Sequence, residues 1–144
     1  MELDWNWGLL IGGAILILLE VGYGFWQFWT KSDMVLLWAR PRDYYGRASG
    51  SYVCPNHFAG LLETVIPLLI ARIALWNPSK KSMQRTVLQK VFIGYVVLMA
   101  VAALLLSFSR SSWIALSLAL CSFIVWGEWQ WRRLWRRLAA GHLG

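Results

Sequence analysis

Four long apolar runs alternate with short polar ones, a pattern that predicts four helices of membrane-spanning length. The runs cover residues 7–29, 55–76, 91–107 and 112–126; the third is somewhat short and the fourth can continue to Trp131. Further on, Trp131, Leu134, Trp135 and Leu138 share one helical face, with Arg132, Arg133, Arg136 and Arg137 beside them. That spacing predicts an amphipathic helix lying on an anionic membrane surface. The expected fold class is therefore all-α: an integral membrane protein with about four transmembrane helices and an interfacial C-terminal amphipathic helix. Residues 1–144 read as a single membrane region, with a basic tail at 127–144.

The polar segments are more informative than the spans. Within residues 30–54, Met34 to Trp38 reads as a short interfacial helix that Pro41 stops. Tyr44 and Tyr45 read as interfacial anchors, the alternative being stacking on a sugar. The stretch Arg47-Ala-Ser-Gly-Ser-Tyr-Val-Cys-Pro-Asn-His-Phe-Ala-Gly is turn-rich, and Pro55-Asn56 suits the start of a helix. Two runs further on comes a second polar island, Ser107-Phe108-Ser109-Arg110-Ser111-Ser112. Two crossings separate the islands, so both are expected on the same side of the membrane.

Several residues inside the runs are unusual for hydrocarbon. Glu20 sits near the middle of the first. A carboxylate there is costly and turns into a bundle or cavity; otherwise it pairs with a helix outside this chain or is protonated. Gly12, Gly13, Gly22 and Gly24 permit close helix contact. Pro67 implies a kink in the second span, and Arg72, one turn before Trp76, can extend its guanidinium to the interface.

Composition supports this reading. The chain is 58% hydrophobic, and the excess is concentrated in runs, which excludes an ordinary soluble domain. Most of the eleven tryptophans stand at run edges, where an amphipathic ring suits the headgroup layer. The net charge of +7 could suggest nucleic acid, but Lys and Arg gather at the ends of the runs. That placement fits the positive-inside rule and membrane lipid, so no nucleic-acid partner is expected. Lys80, Lys81, Arg85, Lys90 and the tail arginines outweigh Lys31, Arg40, Arg42, Arg47 and Arg110, so the side bearing the 77–90 loop is expected to be cytoplasmic. The first span taken alone would prefer the opposite orientation. Cys54 and Cys121 are not expected to pair, and two cysteines make no metal framework. The N-terminus has no positive n-region, so no signal peptide is expected.

Arg47 and Arg110 are the candidate binding residues. Arg110 is the sharper case, standing between apolar runs with four serines around it; the plainer alternative is an interfacial arginine marking a turn. Arg47 is followed by small residues that let a backbone approach a ligand, and a helix then opens toward the same space. Two guanidinium groups and a helix N-terminus on one face make a phosphate or diphosphate site. Asn56, His57 and Glu63 are possible supports: Asn56 and His57 at the helix start, Glu63 as a carboxylate able to neutralise either arginine. His57 has no second ligand at metal spacing, and His142 lies in the tail on the opposite side. No metal, cofactor or catalytic residue is assigned, and no GxxxxGK[ST], HExxH, GxSxG or CxxC motif is present.

At these residues the chain resembles the O-antigen ligase and O-antigen polymerase family of the bacterial envelope. The likeness rests on Arg47-Ala-Ser-Gly-Ser-Tyr, Pro55-Asn56-His57-Phe58-Ala59 and Ser109-Arg110, in that order across these spans, with Leu19 to Gln27 resembling the preceding span. It covers roughly residues 15–126. The resemblance implies a multi-pass inner-membrane glycosyltransferase that takes glycan from undecaprenyl diphosphate on the periplasmic face. The glycan passes to a lipid A core, a growing polysaccharide or, in some relatives, a protein. Arg47 and Arg110 would then bind the donor diphosphate. Family members are longer and carry a later periplasmic loop with a histidine thought to activate the acceptor. On that comparison the chain reads as a central fragment, and the alternative function is a small non-enzymatic four-span scaffold acting through its basic tail.

Overall fold

The computed structural model describes residues 5–74 and 83–141, with side chains described except at 5–7, 10, 83, 85 and 130–141. The described residues form four α-helices, α1 (Trp5–Thr30), α2 (Pro55–Ala74), α3 (Met83–Leu106) and α4 (Arg110–Gly141). Each is long and apolar enough to cross a membrane, so the all-α expectation holds and the chain is a multi-pass membrane protein. The end of the second expected span at 75–76, Lys80, Lys81 and His142 lie outside the described residues.

The helices do not pack in chain order. α3 lies between α1 and α2, and α4 packs chiefly on the far side of α2. The spacing of buried residues gives the reason. α1 buries Ala14, Ile17 and Val21; α2 buries Phe58, Leu62, Ile66 and Leu69; α3 buries Ile93, Val96, Ala100, Ala103 and Leu104. Steps of three and four put each set on one stripe, and the stripes meet around α3. Ala59, Ala100 and Ala103 are fully buried, and small side chains of this kind let membrane helices approach closely. Leu16, Leu19, Leu68, Leu98 and Leu118 stay exposed, as expected of side chains that face lipid.

Three boundaries differ from the sequence expectation. α3 begins at Met83 rather than 91, so Arg85 and Lys90 are helical and not part of a loop. Hydropathy locates the apolar stretch, whereas Gln, Arg and Lys extend a helix readily. The tail is helical but continues α4 to Gly141 without interruption, so it extends the fourth helix instead of forming a separate one. The side chains of the amphipathic stretch 131–138 are outside the described ones.

The third difference is the segment expected as a short interfacial helix. Met34–Val35 (β1) and Trp38–Ala39 (β2) form an antiparallel hairpin, with Met34 opposite Ala39 and Val35 opposite Trp38. The reason is length. Only residues 32–40 separate Lys31, which ends α1 in a left-handed conformation (φ 51°), from Pro41, and an isolated helix that short is marginal. A hairpin instead finds polar partners on α1: Gln27 Nε2 donates to Met34 O at 3.3 Å, and Leu36 N–H donates to Tyr23 Oη at 2.8 Å.

Of the glycines expected to permit close contact, Gly24 does so: a Cβ there would lie 3.1 Å from Phe58 Cζ. Gly12, Gly13 and Gly22 face open space. The tightest position is Gly50, at φ +55°, where a Cβ would collide with the Glu20 carboxylate and stand 2.8 Å from Phe58 Cδ2. Gly46 has φ +70° but nothing near it. The pair separates backbone strain from crowding. Gly46→Ala should cost about 1–2 kcal/mol, the left-handed penalty alone. Gly50→Ala should cost clearly more, read as a larger loss of unfolding free energy in detergent.

Candidate functional site

The segment joining α1 to α2 passes over the C-terminal end of α3. The last carbonyls of a helix have no partner within it and must find one elsewhere. Here Ala48 N–H donates to Leu106 O at 3.0 Å, and Arg47 Nε donates to Ser107 O at 2.7 Å. A guanidinium at that end also suits the helix dipole. Arg47 Nη2 donates to Asn56 Oδ1 at 3.1 Å, tying the start of α2 to the same group. The two polar islands therefore meet, as the two-crossing argument expects. Arg47 Nη1 has no protein partner among the described residues.

The serines of the second island build the turn between α3 and α4. Ser107 Oγ donates to Leu104 O at 2.6 Å and accepts from Ser109 N–H at 3.3 Å. The Ser109 carbonyl accepts from Trp113 N–H at 3.1 Å, and its hydroxyl donates to Ser112 Oγ at 3.0 Å. Phe108 takes the left-handed conformation in the turn (φ 52°). Arg110, the first residue of α4, is exposed and has no hydrogen-bond or ion-pair partner among the described residues. The two arginines thus differ: Arg47 is fixed by the fold, and Arg110 is uncommitted.

Among the supports, Asn56 does contact Arg47. The His57 side chain is exposed; only its backbone N–H is engaged, donating to Cys54 O at 3.1 Å. Glu63 pairs with neither arginine. It lies seven residues below Asn56, about 10 Å along the α2 axis, too deep to meet side chains at the helix start. No cluster of metal-ligating side chains exists among the described residues.

Sequence reasoning singled out Glu20 but missed Gln27 and Arg40, which also hold this loop in place. Gln27 is fully buried and uses all its capacity. Its Nε2 donates to Gly50 O at 2.9 Å as well as to Met34 O, and its Oε1 accepts from Ser49 N and Oγ at 3.2 Å each. Glu20 accepts from Ser51 N at 2.8 Å and Ser51 Oγ at 2.6 Å, so its partner lies within this chain and not in a helix beyond it. Arg40, read from sequence as one of several loop charges, is 3% exposed. It donates to Arg47 O at 2.8 Å, to Ser49 Oγ at 3.0 Å and to Ser32 O. Burial pulls the pKa of its guanidinium down from the usual value, opposed by the nearby Tyr23, Asp33 and Tyr45. The signal available in sequence was Gln27 and Glu20 at seven-residue spacing, on one face of an apolar run.

Two of the cavities lie apart, one near this arrangement and one distant from it. One of about 290 Å³ is lined by Phe28, Trp29, Lys31 and Gly46, next to Arg47 in the chain. A larger one of about 420 Å³, lined by Ile11, Leu69, Leu88 and Phe92 among others, is almost wholly apolar and away from the islands.

Cys54 immediately precedes α2. Partial burial raises its thiol, but hydrogen bonds from Asn56 N–H, the Tyr44 hydroxyl and His57 N–H, with the charge of Arg47, outweigh that and leave its pKa below the ordinary value. The same hydrogen bond raises Tyr44. A lowered pKa means more thiolate at neutral pH. In a Cys121→Ala background, alkylation of Cys54 should reach half its maximal rate at a pH below that of a free thiol. Tyr44→Phe removes a donor to the thiolate and should move that midpoint upward. Gln27→Leu leaves several buried backbone groups unpaired and should cost at least about 1–3 kcal/mol in unfolding measurements.

Comparison with protein-family models, with curated proteins and with solved structures finds no match.

Proposed function

We propose that this chain carries the donor-diphosphate site of an O-antigen ligase-like glycosyltransferase of the bacterial inner membrane. In this reading the donor is a glycan linked to undecaprenyl diphosphate, and the acceptor is a lipid A core or a polysaccharide at the periplasmic face. The observation that carries the reading is the 2.7 Å bond from Arg47 Nε to the Ser107 carbonyl, which joins islands 60 residues apart at one end of the bundle. Arg47 and Arg110 then belong to one polar surface, beside the starts of α2 and α4.

The chemistry follows from charge. When the sugar–phosphate bond breaks, negative charge grows on the departing diphosphate. Cations already held in place stabilise that charge without reorganising. Arg47 has two of its nitrogens engaged and can offer the third, Nη1, to a phosphate oxygen. Arg110, with no partner among the described residues, can close on the second phosphate. The resemblance assigns activation of the acceptor to a histidine in a later loop, so the residues here are proposed for donor binding and leaving-group stabilisation.

Because Arg47 also caps α3, its removal mixes structural and binding effects. Arg110→Ala is the cleaner variant. It should lower affinity for an isoprenoid diphosphate by about 10-fold or more, the worth of a charged hydrogen bond, while unfolding shifts by less than about 0.5 kcal/mol. Arg110→Lys should retain part of the affinity. Binding measured by native mass spectrometry in detergent tests both. Unchanged affinity in Arg110→Ala would remove the diphosphate role.

A further inference from the structure

The hairpin β1–β2 does not rise away from the end of α1. Gln27 contacts Met34, and Tyr23, four residues earlier on α1, contacts Leu36. Two residues of strand advance about 7 Å and four residues of helix about 6 Å, so the two run side by side in opposite directions. The first strand therefore descends along α1. After the turn at Leu36 (φ 52°) and Leu37, the second strand climbs back, and Arg40 regains the level of Ser32 and Asp33, donating to the carbonyl of each.

Tyr23 lies seven residues before the end of α1, about 10 Å along its axis. It also falls within the part of α1 apolar enough to sit in a bilayer, Ile11–Thr30. Side chains on a helix lean toward its N-terminus, which carries the Tyr23 hydroxyl no nearer to the helix end. The hairpin tip is thus held level with a part of α1 that is apolar enough to lie in a bilayer.

The tip is dressed for that depth. Leu36, Leu37 and Trp38 are 65%, 89% and 73% exposed. The hairpin residues 34–39 carry no charge, and Arg40, which follows them, is turned inward and buried. Part of the backbone demand is met by the strand pairing and by Tyr23 and Gln27, which lowers the cost of placing non-helical chain near hydrocarbon. We infer that the 34–39 hairpin is a wedge inserted into the bilayer beside α1, with Leu36, Leu37 and Trp38 in contact with lipid at the boundary between headgroups and acyl chains. Insertion of about 5–10 Å is the range of other interfacial elements. The wedge shares its base with the 47–51 loop through Arg40 and Gln27, so lipid contact fixes the depth of the loop as well.

Collision accessibility of single spin labels tests this in the full chain, reconstituted in phospholipid nanodiscs with Cys54→Ala and Cys121→Ala. Labels replace Leu37 (Leu37→Cys), the exposed loop residue Arg42 (Arg42→Cys) and the exposed span residue Leu68 (Leu68→Cys). The label at 37 should fall between those at 42 and 68: open to oxygen, with accessibility to a water-soluble nickel chelate about fivefold or more below that at 42. Nickel access at 37 equal to that at 42 would place the tip in water and overturn the inference. Protection from both reagents would mean that protein, such as a second copy of this chain, covers the tip, and would overturn it equally. Trp38→Cys, on the same tip, reads the same outcomes if the label at 37 disturbs folding.

Discussion

The whole arrangement depends on how the C-terminal end of α3 is satisfied. A helix that ends in contact with other helices cannot leave its last carbonyls to water. Ser107 and Phe108 close Ala103, Leu104 and Leu105 locally, and the remaining partners come from a segment about 60 residues away: the backbone N–H of Ala48 on the Leu106 carbonyl and the side chain of Arg47 on the Ser107 carbonyl. Once those two contacts form, the α1–α2 connection must cross the end of α3. That crossing explains why α3 lies between α1 and α2, which follow one another in the chain.

The crossing also explains the polar residues within the first apolar run. A loop drawn down against α1 buries the peptide groups of Ser49 and Gly50, which then need partners within the protein. Gln27 and Glu20 serve the loop: Gln27 through the backbone of Met34, Ser49 and Gly50, Glu20 through Ser51. Arg40 completes the set by holding the Arg47 carbonyl from the other side. The small residues Ala48, Ser49 and Gly50 are buried for the same reason, since larger side chains would not fit between Gly24, Phe58 and Glu20.

Two arginines in such a frame have unequal freedom. The Arg47 guanidinium is oriented before any ligand arrives, and the entropy of fixing it belongs to folding and not to binding. Arg110 keeps its rotamers and its solvation until a partner comes. In the proposed donor-site reading, one arginine fixed by the fold and one left adjustable would together hold the two phosphates while the bond to the sugar is broken.

Hydropathy alone determined that four helices of spanning length exist, because burying backbone in lipid requires long apolar helices and little else satisfies the requirement. The count of crossings between the islands determined that Arg47 and Arg110 share a side, a consequence of topology that needs no packing detail. The sequence by itself could not separate a solvated arginine from a buried one, and Arg40 was indistinguishable there from Arg42. Only the tertiary structure decided that Met34 to Ala39 is a hairpin, that Glu20 answers Ser51, and that Arg47 caps α3. Each of these depends on a hydrogen-bond partner distant in the chain or on another element, and local periodicity carries no record of which distant group will be there.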